Sequence, residues 1–95
     1  MYIVLNEEEI MKGKSFLLFS ASWCNPCKKI KPIIKEMVED IKDLNIYEVD
    51  IDKNKELVDY YNISSVPSFI LIEDGKKTGE VLDSDIEKIR NLISK

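Results

Sequence analysis

Ninety-five residues, a formal net charge of −4 and a complete lack of histidine bound what this chain can do. The length fits one domain spanning residues 1–95, and a chain of this size buries somewhat over ~60% of its unfolded surface, enough for a core without staples. The acidic balance gives no electrostatic case for nucleic acid, no apolar run approaches the ~20 residues of a membrane span, and without an imidazole any proton transfer falls to a carboxylate, a thiol, a lysine or water.

The opening, Met1-Tyr2-Ile3-Val4-Leu5-Asn6-Glu7-Glu8-Glu9, has no basic n-region and does not read as a secretory leader. A cytoplasmic location is expected. Tyr2 to Leu5 is a first β-prone segment. Asn6 with Glu9 three residues on predicts a capped short helix that Gly13 ends, and the acidic run is its solvated first turn. Ser15 to Phe19 is a continuous apolar strand. From about Cys24 to Ile41, apolar residues at Ile30, Ile33, Ile34, Met37, Val38 and Ile41 recur at helical spacing. Pro32 falls inside that helix and predicts a kink. Lys28, Lys29, Lys31 and Lys35 are expected on its solvent face.

Ile46 to Ile51 alternates as a third strand, and Asp52 is placed to cap a helix through Leu57, Val58 and Tyr61, ended near Asn62. Ser68 to Ile72 is a fourth strand. Asp74-Gly75 predicts a hairpin into an antiparallel fifth strand, about Lys76 to Leu82, with Gly79 as a bulge candidate. Ser84-x-x-Glu87 reads as a capping box for a last helix that buries Ile86, Ile89, Leu92 and Ile93. The order βαβαβαββα predicts parallel neighbours with an antiparallel edge supplied by the hairpin.

Both cysteines lie in Ser22-Trp23-Cys24-Asn25-Pro26-Cys27-Lys28, between the second strand and the long helix. A helix start carries unpaired N–H groups and partial positive charge, which favour an anion. A free cysteine titrates near ~8.5 and falls lower at such a site. Cys24 is therefore expected as the attacking thiolate and Cys27, one turn further in, as the resolving thiol. Pro26 suits the first helical turn, where its missing N–H costs nothing, and Trp23 would shield one side of the pair. Two cysteines could also form half a zinc site, but with no second pair and no histidine the remaining ligands must come from another chain. A purely structural disulfide closing so short a loop removes little chain entropy. No metal site and no bound cofactor are expected, and the chain has no G-x-G-x-x-G.

The segment from Phe19 to Lys28, with Pro32 five residues after the second cysteine, resembles the active-site segment of thioredoxins. Asn25 departs from the usual glycine. Val49-Asp50-Ile51-Asp52, Tyr61 to Phe69 and Asp74-Gly75 resemble the rest of the family in the same order. The resemblance implies an α/β thioredoxin fold, a central mixed five-stranded sheet with helices on both faces. It implies dithiol–disulfide exchange on disulfide-containing partner proteins, with electrons from a separate reductase, a flavoprotein or a ferredoxin-linked enzyme. A monomer with no nucleic-acid or membrane partner is expected. It also implies a cis Val66–Pro67 bond opposite the cysteines, with Trp23, Val66 and the turn before the last helix forming a docking surface. That turn, Val81-Leu82-Asp83, lacks the family's glycine. Leu18 stands where thioredoxins place a buried aspartate, and Glu48 where they place its neighbouring lysine. Glu48 is then the candidate base for Cys27, against the alternative of a surface carboxylate with water as base. Rival functions are a glutaredoxin-like or oxidant/isomerase exchange, and a binding subunit that does not use its cysteines.

Overall fold

Seven-residue strands rich in Phe, Leu, Ile and Val, with helices between them, need both sheet faces covered. The computed structural model, which describes residues 2–4, 14–39, 41 and 44–94, arranges them so. Its elements are β1 (Tyr2–Val4), β2 (Lys14–Ser20), α1 (Asn25–Val38), β3 (Leu44–Asp50), α2 (Lys55–Tyr60), β4 (Ser68–Glu73), β5 (Lys76–Val81) and α3 (Ile86–Ile93). The helix expected from Asn6 to Gly13 lies outside the described residues.

The five strands form one mixed sheet in the order β1-β3-β2-β4-β5. β1 and β2 run parallel to β3, with Val4 and Leu18 both opposite Glu48. β2 is antiparallel to β4, and β4 to β5. The sequence pattern predicted β4 parallel and β5 reversed; in the structure β4 is the reversed strand, and β5, antiparallel to it, runs in the direction of β2. β3 leaves the sheet at Asp50, opposite Ser20, and β4 enters at Ser68, opposite Phe19, so the chain re-enters the sheet at the end where it left and runs the other way.

Alternation along β2 divides the core between two faces. Phe16 and Leu18 pack with Ile30, Ile34, Val38, Phe69, Ile89 and others beneath α1 and α3. Leu17 and Phe19 pack with Tyr47, Val49, Leu57, Ile70 and Ile72 on the α2 side. All of these central-strand side chains are fully buried, and Phe16 stacks on Phe69 with ring centroids 5.7 Å apart. Such burial of a large apolar side chain contributes about 1.5–3 kcal/mol each, so β2 anchors the site that follows it.

The helix ends correct two expectations. Helix α2 starts from Asn54, not Asp52, and Asn54 donates its side-chain amide to the Asp50 carbonyl at 3.0 Å. Asp52 is instead held in a turn, its N–H donating to Asp50 Oδ1 at 2.8 Å. Helix α3 is capped by Asp85, not Ser84: Asp85 Oδ1 accepts from the Glu87 and Lys88 N–H groups at 3.0 and 3.2 Å. Asp83 Oδ1 accepts from the Asp85 N–H and so sets the helix start one residue later than a Ser84 cap would. Asn62 does close off α2, two residues past its last helical residue. Its φ of +55°, with Ile63 N–H bonded to Val58 O and Asn62 N–H to Asp59 O, makes a complete Schellman closure. Asp74 and Gly75 have φ of +51° and +85°, the backbone of a tight hairpin turn. The register slip that leaves Thr78 extra lies beside Gly79, where a bulge was expected. Helix α1 continues through Pro32 without ending.

Candidate active site

At the end of β2 the chain turns at Ala21, Ser22 and Trp23, and the Cys24 N–H closes the turn on the Ala21 carbonyl at 3.1 Å. Cys24 is the N-cap of α1, with extended φ and ψ of −89° and 108°. Its Sγ accepts from the Cys27 backbone N–H at 3.2 Å, and its carbonyl accepts from the Lys28 N–H. A thiol sulfur thus does what a serine or aspartate oxygen does at an ordinary cap. Pro26 occupies the first turn, where no N–H is required. No acidic side chain stands in that turn, so nothing offsets the helix's positive end beside the sulfur.

Cys24 and Cys27 are joined as a disulfide, with Cα atoms 5.3 Å apart. Cys27 is fully buried and Cys24 is 5% exposed. In this oxidised state Cys24 is only slightly more open than its partner. Ala21, Ile51 and Val66 pack around the two sulfurs.

Val66 comes from the loop that leads into β4. Its carbonyl oxygen lies 3.8 Å from Cys24 Sγ, within reach of the thiol hydrogen once the disulfide is reduced. The Val66–Pro67 bond is cis, Pro67 is buried, and Ser68 Oγ donates to the Ser65 carbonyl at 2.7 Å, which pins this segment from behind. Trp23 is 64% exposed, yet its indole Nε1 donates to Asp52 Oδ2 at 3.2 Å. Its orientation is therefore set by the turn after β3. Asn25 and Pro26 are exposed on the rim. Val81 pairs with Phe69, so exposed Leu82 follows at the same end of the sheet as Pro67.

Together these features make a thiol–disulfide centre at a strand–helix junction, with an extended segment facing it. A thioredoxin family model matches residues 5–95. The chain belongs to the thioredoxin family. It is 33% identical to mitochondrial thioredoxin O1 of Arabidopsis thaliana over 96% of its own length and 53% of that protein. It is 33% identical to a thioredoxin of Chlamydia pneumoniae over 90% of its length and 85% of that protein. The structure of reduced Schistosoma mansoni thioredoxin pre-protein superposes with a TM-score of 0.87 at 35% identity, covering 98% of this chain and 95% of the other. The chain spans about half the length of several curated relatives it matches, at 53%, 52% and 55%. Thioredoxins are thiol–disulfide oxidoreductases, and this member keeps their cysteine pair with a tryptophan before it.

The family's buried acid is absent from this member's second strand. Leu18 takes that position and is fully buried. Its neighbour across the parallel pairing, Glu48, bonds through Oε2 to Lys31 Nζ at 2.9 Å. Lys31 was expected in solvent; its side chain is only 24% exposed, and that of Glu48 19%. The sequence carried a signal for this, since Lys31 stands in the apolar stripe of Cys27, Ile30, Ile34 and Val38. Asp52, which holds Trp23, was likewise missed as a site residue because its position suggested a helix cap.

Proposed function

We propose that this chain is a cytoplasmic, monomeric reductant of disulfides in partner proteins, working without a bound cofactor. The observation that carries the reading is Cys24: its sulfur caps α1, bonds to Cys27 and lies beside the Val66 carbonyl. Reduced Cys24, as thiolate, attacks a partner disulfide and releases one partner sulfur as a thiol. Cys27 then gives up its proton, attacks Cys24 Sγ and expels the second partner sulfur. The partner gains two electrons and the cysteine pair loses two. A separate reductase, a flavoprotein or a ferredoxin-linked enzyme, restores the dithiol. The partner's extended chain docks along Val66 between Trp23 and Leu82, where main-chain pairing supplies affinity. Asn25 and Pro26 separate the two sulfurs and tune their potential.

Glu48 is the carboxylate proposed to accept the Cys27 proton, directly or through one water. It is half-buried, faces α1 and lies in the sheet row of Leu18. Among the described residues no helix is long and apolar enough to cross a membrane.

Insulin reduction by the full chain tests the function. Cys24→Ser should abolish turnover, and a potential near the ~−270 mV of thioredoxins is expected. A partner function that survives Cys24→Ser would mean a binding subunit, and a potential near ~−180 to −120 mV would mean an oxidant or isomerase.

A further inference from the structure

At the end of the sheet away from the cysteines, two tight turns enclose a pocket. Helix α2 ends in Tyr60 and Tyr61, and Asn62 turns the chain there with a φ of +55°. Facing it is the β4–β5 hairpin, turned at Asp74 and Gly75. Tyr60, Tyr61, Asn62, Gly75, Lys76 and Lys77 line the space between them, about 410 Å³, within the size range of small-ligand sites. Ser68 opens β4 beside Pro67, whereas Gly75 lies past its other end, a strand length of about 20 Å away. Lys77 stands opposite Ile72, and Ile72 packs in one cluster with Tyr61, so strand and helix bring these side chains to the same sheet face.

The lining is one-sided in its chemistry. Its side chains are two phenols, two ammonium groups and an amide, with no carboxylate among them. The whole chain carries 18 acidic against 14 basic residues, so the pocket reverses the charge of its surroundings and favours an anion. Lys77 is held by Glu80, whereas Lys76 takes part in none of the ion pairs among the described residues. Lys76 thus supplies the uncompensated charge. Burial, and then Tyr60, raise the Tyr61 phenol above the usual tyrosine range, so it keeps its proton and can donate it in a hydrogen bond. Tyr60 is 73% exposed and meets Tyr61 at right angles, with ring centroids 4.8 Å apart. That contact orients the Tyr60 ring and leaves ring surface open for another flat group to stack on. Folding gains little from an aromatic side chain left so open.

We propose that this pocket binds a small phosphate monoester joined to a flat ring, such as a nucleoside monophosphate or an aryl phosphate. Lys76, seconded by Lys77, meets the phosphate, and the ring stacks on Tyr60. Tyr61 and Asn62 supply hydrogen bonds. Two ammonium groups with a phenol donor suit a phosphate, which carries close to two negative charges at neutral pH, better than the single charge of a carboxylate. The ligand sits a strand length from Cys24 and takes no part in thiol exchange. Binding and redox activity are therefore separable.

The test is an NMR titration of the oxidised full chain, labelled with nitrogen-15, with AMP, phenyl phosphate, ribose 5-phosphate and inorganic phosphate in turn. AMP should move the amide signals of residues 60–62 and 75–77 and half-saturate near ~1 mM, as fits an open pocket. Ribose 5-phosphate and inorganic phosphate, which lack a flat ring, should bind at least ~5-fold more weakly. Phenyl phosphate equal to AMP supports a site for aryl phosphates in general, and phenyl phosphate weaker than AMP supports one for nucleotides. Tyr60→Ala should weaken AMP ~5-fold or more, and Tyr60→Phe should keep it. Lys76→Ala should weaken it about as much and flatten its dependence on salt. Lys29→Ala, which removes the same charge from an exposed position on α1, should change nothing. Attack of reduced Cys24 on a small disulfide should proceed at one rate with and without AMP. Shifts that do not saturate by about 10 mM, or that centre on Cys24, overturn the proposal. So does a slowed attack by Cys24, which would put the ligand at the cysteines. Inorganic phosphate binding as tightly as AMP, or Tyr60→Ala and Lys76→Ala without effect, would leave only an adventitious anion contact and overturn it as well.

Discussion

The Cys27 backbone N–H donates to Cys24 Sγ across 3.2 Å, so the resolving residue's own main chain stabilises charge on the attacking sulfur. A charged acceptor strengthens such a bond roughly twofold over a neutral one. Cys24 should therefore be the reactive thiol of the reduced protein. A thiol at a helix start titrates below the ordinary cysteine range, which raises its thiolate fraction at neutral pH. Iodoacetamide is expected to modify Cys24 at least ~10-fold faster than Cys27, read by mass spectrometry of the native protein. Cys27→Ser should trap mixed disulfides with partners and Cys24→Ser should not. Equal labelling of both thiols would reverse the assignment.

The indole of Trp23 is anchored by the Asp52 carboxylate. Asp52→Ala should release it, and the chain has a single tryptophan to report this. The emission spectrum and its response to reduction of the disulfide should both change. Because the bond is exposed, the stability cost is small, about 0–1 kcal/mol. Reduction of protein disulfides should slow a few-fold, mainly through KM, while small disulfide reagents react at the wild-type rate. An unaltered spectrum would show that Asp52 does not hold the ring.

Caps separate two adjacent residues cleanly. Asp85 accepts from two N–H groups at the start of α3. Asp85→Ala should destabilise the fold by about 1 kcal/mol, measured by urea unfolding. Ser84 is exposed and does not cap the helix, so Ser84→Ala should stay within about ±0.5 kcal/mol. The reverse order would restore the capping box read from the sequence.

Asp83 gives a pH dependence with a definite sign. The Asp85 backbone N–H first, and then the Lys88 side chain, hold its carboxyl below the usual aspartate range. A folded-state pKa below the unfolded one contributes stability above the unfolded value, about 3.9. That contribution disappears as pH falls through the lower, folded value. Asp83→Asn should thus lower Tm slightly at pH 7, and the gap from wild type should close in strong acid. A gap that widens in acid would contradict the sign.

Most of the local structure was readable from the chain. The apolar run Phe16-Leu17-Leu18-Phe19 means burial on both faces, the three- and four-residue spacing from Ile30 to Val38 means a helix, and Asp74-Gly75 means a tight turn. Each depends on contacts within a few residues, where side-chain period and allowed φ and ψ decide the outcome. The placing of two cysteines at a helix start, and hence the chemistry, belongs to the same class. Cap positions were near this limit, because Asp52, Asn54, Ser84 and Asp85 are all competent residues and neighbouring turns select among them.

Tertiary structure alone decided the rest. β4 pairs antiparallel with β2, and that direction delivers the Val66 carbonyl to Cys24 from 42 residues away. The pairing of β3 with β2 sets Glu48 beside Leu18, and packing of α1 over that face joins Glu48 to Lys31. No periodicity announces these meetings, because they depend on loop reach, strand register and which helix face turns inward. The composition supplied a carboxylate and an ammonium, and the fold decided that they share a half-buried site one turn from the resolving cysteine, where attraction between opposite charges offsets the cost of removing them from water.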